Sequence, residues 1–315
     1  MPAAPSQLFT AIGFKLISAL LFAAMSALVR QLSESTPVGQ IVFFRSAFAI
    51  PPVLIIYALR GEFMSAVRTR RPLGQLGRGA LSVGGMFTNF AALGRLPLAE
   101  ATAINFASPL ITVALAALIL NERVRLFRWS AVAVGFFGVI VMLIPNLSVE
   151  HYMAAGVGSV AVTGSLFAIF SAFCNAGTVI QTRRLAQSEP TASIVFYFSL
   201  ITTLAGAVTL PFAWHNPTAA QLSALIATGI LGGIAHIFLT ESYRHATASM
   251  IAPFDYSSML WALLLGYLVF GELPSALVYV GAAIVASAGL AVLFRERWLG
   301  LRRSPEGEGP RTPEI

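Results

Sequence analysis

Ten apolar segments follow one another along this chain, and they leave room for little else. A bilayer core about 30 Å thick needs roughly 20 apolar residues per helix. Stretches of that size lie at residues 12 to 30, 38 to 59, 75 to 94, 100 to 120, 127 to 145, 157 to 181, 191 to 213, 220 to 240, 247 to 270 and 275 to 294. The connections between them are short. The pattern predicts an all-α integral membrane protein with ten transmembrane helices.

Composition agrees with this prediction. Hydrophobic residues make up 57% of the 315 residues and charged residues only 10%, whereas soluble domains carry roughly 25% charged residues. In a soluble chain the net charge of +7 would point to nucleic acid, but here the arginines separate apolar segments and indicate topology. No nucleic-acid partner is expected. The single cysteine, Cys174, excludes an internal disulfide and a multi-cysteine metal site, and we expect no cofactor or metal.

The arginines predict how the helices are oriented. Short loops that are rich in Lys and Arg stay on the cytoplasmic side. With the N-terminus inside, sixteen arginines fall in cytoplasmic segments and only Arg30 and Arg95 fall outside. The sixteen are Arg60, Arg68, Arg70, Arg71, Arg78, Arg123, Arg125, Arg128, Arg183, Arg184, Arg244, Arg295, Arg297, Arg302, Arg303 and Arg311. We therefore expect both termini in the cytoplasm and a location in the bacterial inner membrane.

The two halves of the chain repeat each other. Residues 41 to 45 read IVFFR and residues 194 to 198 read IVFYF. A shift of 153 lays Arg30 on Arg183, and a shift of 150 lays Asn105 on Asp255. With five predicted helices per half, the second copy must be inverted in the membrane, the arrangement from which many transporters build a site reachable from either face.

The repeat sets the predicted domain boundaries. We expect a cytoplasmic N-terminus at residues 1–11 and a first five-helix repeat at 12–145. A linker at 146–156 leads to the second, inverted repeat at 157–294. The polar tail at 295–315 is rich in proline and glycine and is expected to be disordered.

The chain resembles a known family, the EamA family of the drug/metabolite transporter superfamily, over nearly its whole length, and the match is closest in one stretch. Residues 100 to 143 read EATAINFASPLITVALAALILNERVRLFRWSAVAVGFFGVIVML. Pro109, the helix-end Glu122 and the paired Gly135 and Gly138 are similar to that family's pattern. The second half departs from it, because Met259 stands where the repeat would place a proline. The resemblance implies ten helices with cytoplasmic termini, a central cavity and movement of small metabolites.

Arg45 is the first candidate site residue. It lies about eight residues into the second predicted helix, roughly 10 Å deep, and the repeat gives Phe198 at the equivalent position. A guanidinium at that depth costs a few kcal/mol unless it is compensated. It either clamps a carboxylate or other anionic group of a substrate, or it snorkels outward and caps carbonyls.

Asp255, the only aspartate in the chain, is the second candidate. A carboxylate at membrane depth is by default a functional hypothesis, and Asp255 is expected to carry a proton or to anchor a cationic group. Pro253 frees backbone carbonyls beside it, as in a broken-helix site. The alternative is a structural ion pair with Arg45. Lys15 is expected to snorkel to the cytoplasmic surface.

Further polar and aromatic residues are predicted to line the cavity. Each has a plainer interpretation, as an interhelical hydrogen bond or as packing. His236 stands out because histidine titrates near neutral pH. Glu122 and Glu272 are expected to fix helix ends or gates. The predicted substrate-binding set is Arg45, Asp255, Asn105, Ser108, Phe106, Tyr256, Ser258, Asn89, His236 and Trp261.

The sequence therefore predicts a secondary transporter of a small organic metabolite that works by alternating access. An amino acid or related zwitterion would suit Arg45 and Asp255, and a planar vitamin such as riboflavin is the alternative. An enzyme is not expected, since a single aspartate excludes an aspartyl pair and no HExxH or GxxxxGK[ST] motif occurs. A serine nucleophile paired with His236, or a structural membrane protein, stays open. A homodimer is also left open.

Overall fold

The computed structural model describes residues 5–59, 61, 63–119, 126–144, 160–185, 188–245, 254–255 and 257–302. Within those ranges the protein is all-helical. Four helices are long and apolar enough to cross a membrane, namely Phe9–Leu32, Val38–Leu59, Val160–Thr182 and Ala219–Leu239. Shorter apolar helices span Trp129–Met142, Ala192–Val208, Ser257–Phe270 and Ala276–Ala291. The predicted all-helical membrane protein is confirmed, and the count of ten spans stays a prediction.

The helices are numbered here in chain order. The first half contains α1 (Pro5–Leu32), α2 (Val38–Ala47), α3 (Ile50–Leu59), α4 (Phe63–Val67), α5 (Pro72–Leu93), α6 (Leu98–Asn105), α7 (Ala107–Ile119) and α8 (Leu126–Leu143). The second half contains α9 (Val160–Leu185), α10 (Thr191–Val208), α11 (Leu210–Ala213), α12 (Ala219–His245), α13 (Ser257–Phe270) and α14 (Ala276–Arg302).

Prolines mark where several helices begin. Pro37, Pro97 and Pro190 occupy the N-cap positions of α2, α6 and α10, each with an extended backbone. Proline disfavours the helical conformation of the residue before it and fixes its own φ, so it separates a helix from the chain that precedes it. Pro37 and Pro190 are aligned by the 153-residue shift, and they play the same local role in both halves.

Two apolar segments contain a break, and a proline follows each one. Residues 48–49 separate α2 from α3, and Pro51 and Pro52 come directly afterwards. Phe106 separates α6 from α7, and Pro109 follows three residues later. Proline lacks the N–H that would donate to the carbonyl four residues earlier, so each break leaves carbonyl groups free within the bundle. Asn105 lies at the second of these breaks.

The long helices pack in pairs drawn from opposite halves of the chain. α1 packs against α12, α5 against α9, α2 against α10 and α8 against α14. The α8–α14 contact needs glycine, because a β-carbon on Gly138 would lie 2.8 Å from the Gly281 carbonyl oxygen. Every one of these contacts joins residues that are far apart in sequence, so the core of the bundle forms only when the two halves come together.

Candidate functional site

Arg45, in the last turn of α2, is buried inside the bundle, with 4% of its surface exposed. Its Nη2 lies 3.3 Å from His236 Nε2 on α12, and its guanidinium carbon lies 5.5 Å from the centre of the Phe198 ring on α10. The Nε and Nη1 atoms are buried and have no hydrogen-bond partner. In the part of the chain that the structure describes, no carboxylate pairs with Arg45. The side chain neither reaches the surface nor caps a carbonyl through those two atoms.

Gly232 on α12 makes space for this guanidinium. A β-carbon at Gly232 would lie 3.0 Å from Met25 Sδ and 3.3 Å from Arg45 Nε. His236 lies one turn further along the same face of α12 and packs edge-on against Phe22, with ring centres 5.0 Å apart. Because an arginine nitrogen only donates, His236 Nε2 is the acceptor, and the histidine proton in this contact belongs on Nδ1.

Arg78 on α5 approaches the same phenyl ring, with its guanidinium carbon 5.4 Å from the centre of Phe198. Its Nε donates to Thr182 Oγ1 at 2.7 Å and its Nη1 to the Ile194 carbonyl at 3.2 Å. These donors of Arg78 are occupied by protein, whereas two donors of Arg45 are not. The charge pattern had predicted Arg78 to lie in a cytoplasmic connection. Its position a few residues inside the apolar segment at 75 to 94 is the feature of the sequence that indicates burial.

A cleft opens beside His236 between α3, α10 and α12. It is lined by Val53, Ile56, Tyr57, Val195, His236, Ile237 and Glu241. Its volume of about 20 Å³ is enough for one water molecule and too small for a metabolite. A substrate that reaches Arg45 by this route therefore needs a more open arrangement of these three helices.

Asp255 forms an ion pair with Lys15 on α1, and Nζ lies 2.5 Å from Oδ1. The Lys15 side chain is 4% exposed and the Asp255 side chain 49% exposed. Lys15 therefore does not snorkel, because α1 begins at Pro5 and Lys15 is the eleventh residue of that helix. Met25, which lies near Arg45, is ten residues beyond Lys15 on α1. The levels of Arg45 and Asp255 are therefore about 15 Å apart along the axis of α1. The alternative ion pair between Arg45 and Asp255 is absent from the described residues.

A polar network joins α5, α6 and α9. Asn105 Nδ2 donates to Asn89 Oδ1 at 2.8 Å. The Ser171 hydroxyl donates to the Gly85 carbonyl at 3.0 Å and to Asn105 Oδ1 at 3.3 Å, and Asn175 Nδ2 donates to Ser171 at 3.4 Å. Asn89 and Asn105 are thus brought together, as predicted site residues, by interhelical hydrogen bonds.

The remaining predicted residues are more scattered. Phe106 packs against the apolar cluster between α6, α7, α8, α9 and α14, while Ser108 is half-buried and is the second residue of α7. The Ser258 hydroxyl, at the start of α13, donates to the Asp255 backbone carbonyl at 2.7 Å. Trp261 Nε1 on α13 is buried without a hydrogen-bond partner. Tyr256, Pro253 and Glu122 lie outside the described residues.

Glu272 ties together the ends of three helices. Arg30, at the end of α1, pairs with Glu272 just after α13 and donates to the Leu96 carbonyl. Its guanidinium carbon also lies 4.9 Å from the centre of the Phe270 ring. The second Glu272 oxygen accepts the Leu98 backbone N–H at 3.1 Å, at the start of α6. The predicted role of Glu272 in fixing a helix end matches these contacts.

Glu189, in the connection before α10, holds the segment between α4 and α5. Its Oε1 accepts the backbone N–H groups of Arg70 and Arg71, both at 2.7 Å, and the Thr69 hydroxyl at 3.0 Å. Ser193 donates to its Oε2 at 3.1 Å. Burial acts to raise the pKa of Glu189, but these hydrogen bonds outweigh it and lower the pKa below its ordinary value of 4.5.

An apolar helical bundle with buried charged side chains at membrane depth defines a class, the proteins that move polar solutes or ions across the bilayer. The EamA-like transporter family matches residues 9–144 and 162–295. The chain belongs to that family. The predicted family, the transporter class and the absence of an enzymatic role are confirmed by this match and by the relatives described next.

Several characterised relatives match most of the chain. The pseudopaline exporter CntI of Pseudomonas aeruginosa is 29% identical over 280 residues, which are 88% of this chain and 93% of that protein. An S-adenosylmethionine uptake transporter of Rickettsia prowazekii is 29% identical over 258 residues, 81% of each chain. A riboflavin transporter of Rhizobium johnstonii is 28% identical over 295 residues, 93% of each chain. Small-metabolite transport across a bacterial membrane is therefore supported, and the substrate differs among relatives.

A solved crystal structure has the same fold. It superposes with a TM-score of 0.62 at 22% identity, covering 92% of this chain and 98% of that one. At that identity the comparison concerns the fold alone.

Proposed function

We propose that the protein is a secondary transporter that carries a small organic metabolite across the bacterial inner membrane by alternating access, with both termini in the cytoplasm. The observation that carries the proposal is Arg45, a buried guanidinium with two unpartnered donors, in a chain of a transporter family. An arginine left in this state lacks the compensation that buried charges have in structural roles. A substrate anion supplies that compensation.

Ten spans in two inverted repeats are part of the proposal. The helix pairs support it, because exchanging the two halves converts the α1–α12 contact into the α5–α9 contact. The same exchange converts the α1–α13 contact into contacts of α9 with α6 and α7. Alternating access then consists of one group of packed helices, drawn from both halves, rocking against another around Arg45.

For the substrate we propose an amino acid or a related zwitterion. Its carboxylate accepts charge-assisted hydrogen bonds from the guanidinium donors of Arg45 that no protein group occupies. The separation of about 15 Å along α1 between the Arg45 and Asp255 levels exceeds the span of an α-amino acid headgroup. An elongated zwitterion reaches both charges together, while a simple amino acid engages them one after the other.

Asp255 is proposed as the cation anchor and proton carrier. Its half-exposed side chain is reachable, and Lys15 Nζ lies 2.5 Å from its Oδ1, so the carboxylate already holds one cationic group. Binding of a proton or an ammonium group there links transport to the proton gradient.

A planar substrate is the second candidate, and the aromatic rings around His236 favour it. Phe22 lies edge-on to the imidazole, and Phe198 lies 6.1 Å from it, ring centre to ring centre. Such rings present faces on which a heterocycle stacks. The riboflavin transporters among the relatives make riboflavin the test compound for this candidate.

The test is uptake and exchange in proteoliposomes. Twenty radiolabelled L-amino acids, S-adenosylmethionine and riboflavin are offered to vesicles that contain wild type, Arg45→Met or Arg78→Met. We expect saturable movement of at least one zwitterion in wild type, loss of it in Arg45→Met and its retention in Arg78→Met. Saturable movement of riboflavin alone selects the planar candidate. Movement of no compound, or equal movement through Arg45→Met, contradicts the proposed site.

A further inference from the structure

The two halves build the same helix junction with different chemistry. At the first junction, Ser171 on α9 donates to the Gly85 carbonyl on α5 and to Asn105 at the end of α6. The 153-residue shift lays Ser18 on Ser171, and Ser18 on α1 donates to the Ala235 carbonyl on α12 at 2.9 Å. Up to this point the two junctions are alike.

They differ at the residue that faces the broken helix. Asp255 replaces Asn105 under the 150-residue shift, and its partner is Lys15, one turn from Ser18. The position in α9 that aligns with Lys15 is Ala168, which is fully buried. A neutral hydrogen bond therefore joins α9 to α6, whereas an ion pair joins α1 to α13.

We propose that Lys15 is the resident counter-cation of Asp255, and that the pair is the switch by which proton binding releases α1 from α13. The proposal rests on the proposed function, since it explains how Asp255 couples a proton to transport. With Lys15 in place, the Asp255 carboxylate has an ammonium group 2.5 Å away. When Asp255 Oδ takes up a proton from water, the attraction is lost and the junction loosens.

Burial makes the pair sensitive to this change. Lys15 is almost fully buried, so its ammonium group loses much of its compensation for lost hydration when Asp255 becomes neutral. Asp255 is half-exposed, so a proton or a substrate ammonium group reaches it without first entering the core. The equivalent Asn105–Ser171 contact has no charge and does not respond to pH. The junction of α9 with α6 thus holds while the junction of α1 with α13 opens.

Other charged or titratable side chains on the helices around the pair are few. Arg30 on α1 is paired with Glu272 beyond α13, and Arg78 on α5 is bonded to Thr182 and Ile194. The others are Glu100 on α6, His236, Glu241, Tyr243, Arg244 and His245 on α12, and Tyr267 on α13. His245 Nδ1 lies 2.9 Å from its own helix carbonyl at Glu241. The ion pair with Lys15 is formed by Asp255.

The single aspartate makes a direct test possible. Protein made by cell-free synthesis with side-chain ¹³C-labelled aspartate carries one labelled carboxyl group, at Asp255. Its NMR shift reports protonation without any substrate, so the result is separate from the success of the transport assays. We expect the ¹³C shift to change at a higher pH in Lys15→Met than in wild type and in Lys15→Arg, because only Lys15→Met removes the positive charge beside the carboxyl group. A pH profile of folded Lys15→Met that coincides with that of wild type overturns the proposal.

The second measurement leaves the ion pair intact. Spin labels at Ile17 on α1 and Leu264 on α13, both exposed, report the distance between the two helices in a Cys174→Ser background. We expect the distance to lengthen on acidification across the range in which the ¹³C shift changes. The Lys15→Met/Asp255→Asn double variant, which has no charge at the junction, should show one distance at every pH. A distance in wild type that does not follow the protonation of Asp255 contradicts the switch.

Discussion

Arg45 Nη2 on α2 lies 3.3 Å from His236 Nε2 on α12, although the two residues are 191 positions apart in the sequence. The other donors of the same guanidinium, Nε and Nη1, are buried and unpartnered. This arrangement orients the charge but leaves two of its donor atoms without a protein acceptor. A group that contributes little to the stability of the folded chain and is still buried is placed to bind something else.

Replacing Arg45 should stabilise the ligand-free protein while abolishing transport. A buried donor without a partner costs about 1–3 kcal/mol, and Arg45→Met removes two such donors while keeping the length of the side chain. We expect a higher apparent unfolding temperature in detergent. Arg78→Met is the matched control, because it removes donors that are bonded to Thr182 and Ile194, and it should lower the unfolding temperature. Destabilisation of similar size in both variants would assign Arg45 to structure.

Gly232→Ala should impair the site without unfolding the helix. A β-carbon there lies 3.0 Å from Met25 Sδ and 3.3 Å from Arg45 Nε, so it pushes on the guanidinium. We expect uptake to fall at least tenfold, which corresponds to about 1.4 kcal/mol of binding. Gly13→Ala on α1 is the control, because no atom lies within 4 Å of its β-carbon. Uptake by Gly232→Ala equal to that of the control would contradict the role of this space.

Glu189 should make stability depend on acidic pH. Its pKa is lowered in the folded protein, so its stabilising contribution is complete above the ordinary value of 4.5 and is lost as the pH falls through the folded value. We expect Glu189→Gln to unfold at a lower temperature than wild type at pH 7, and the difference to shrink below pH 4.5. A difference that is constant from pH 7 to pH 3 is inconsistent with this assignment.

Breaking the Arg30–Glu272 pair should loosen one end of the bundle. Both side chains are mostly buried, with 20% and 17% of their surface exposed, and Glu272 also accepts the Leu98 N–H. We expect Glu272→Gln to cost about 3 kcal/mol, at the lower end of the range for breaking a pair that is shielded from water. Arg95→Gln is the control, since the exposed Arg95 donates to the nearby Ala91 carbonyl and lies over the Phe167 ring, and neither contact involves a carboxylate. Hydrogen exchange at the start of α6 should increase only in the Glu272 variant.

Much of the fold could be predicted because it depends on local rules. Apolar length predicts helices in a bilayer, and Pro37, Pro97 and Pro190 predict where helices begin. The depth of Arg45 in its apolar segment was also readable. The prediction for Lys15 failed because α1 extends back to Pro5, so a residue placed near the membrane surface is instead deep within the helix.

The side chains that contact the candidate site residues could not be predicted from the sequence. Which side chain meets Arg45 depends on how α2, α10 and α12 pack, and helix packing is set by side-chain shapes spread along all three helices. The same applies to Asp255, whose partner is a lysine 240 positions away in the sequence. The sequence shows which residues are charged and how far each lies within an apolar segment. Which side chains contact one another depends on how the helices pack.

The most direct test of the central claim is ligand-induced thermal stabilisation of the purified protein by amino acids, S-adenosylmethionine, riboflavin and the carboxyl-amidated form of each amino acid. A ligand at a hundredfold excess over its dissociation constant stabilises by about 2.7 kcal/mol. The account predicts that a carboxylate-bearing zwitterion raises the unfolding temperature of wild type and of Arg78→Met. It also predicts that neither its amide in wild type nor the zwitterion in Arg45→Met does so. Equal stabilisation of wild type and Arg45→Met, or by the acid and its amide, would contradict it.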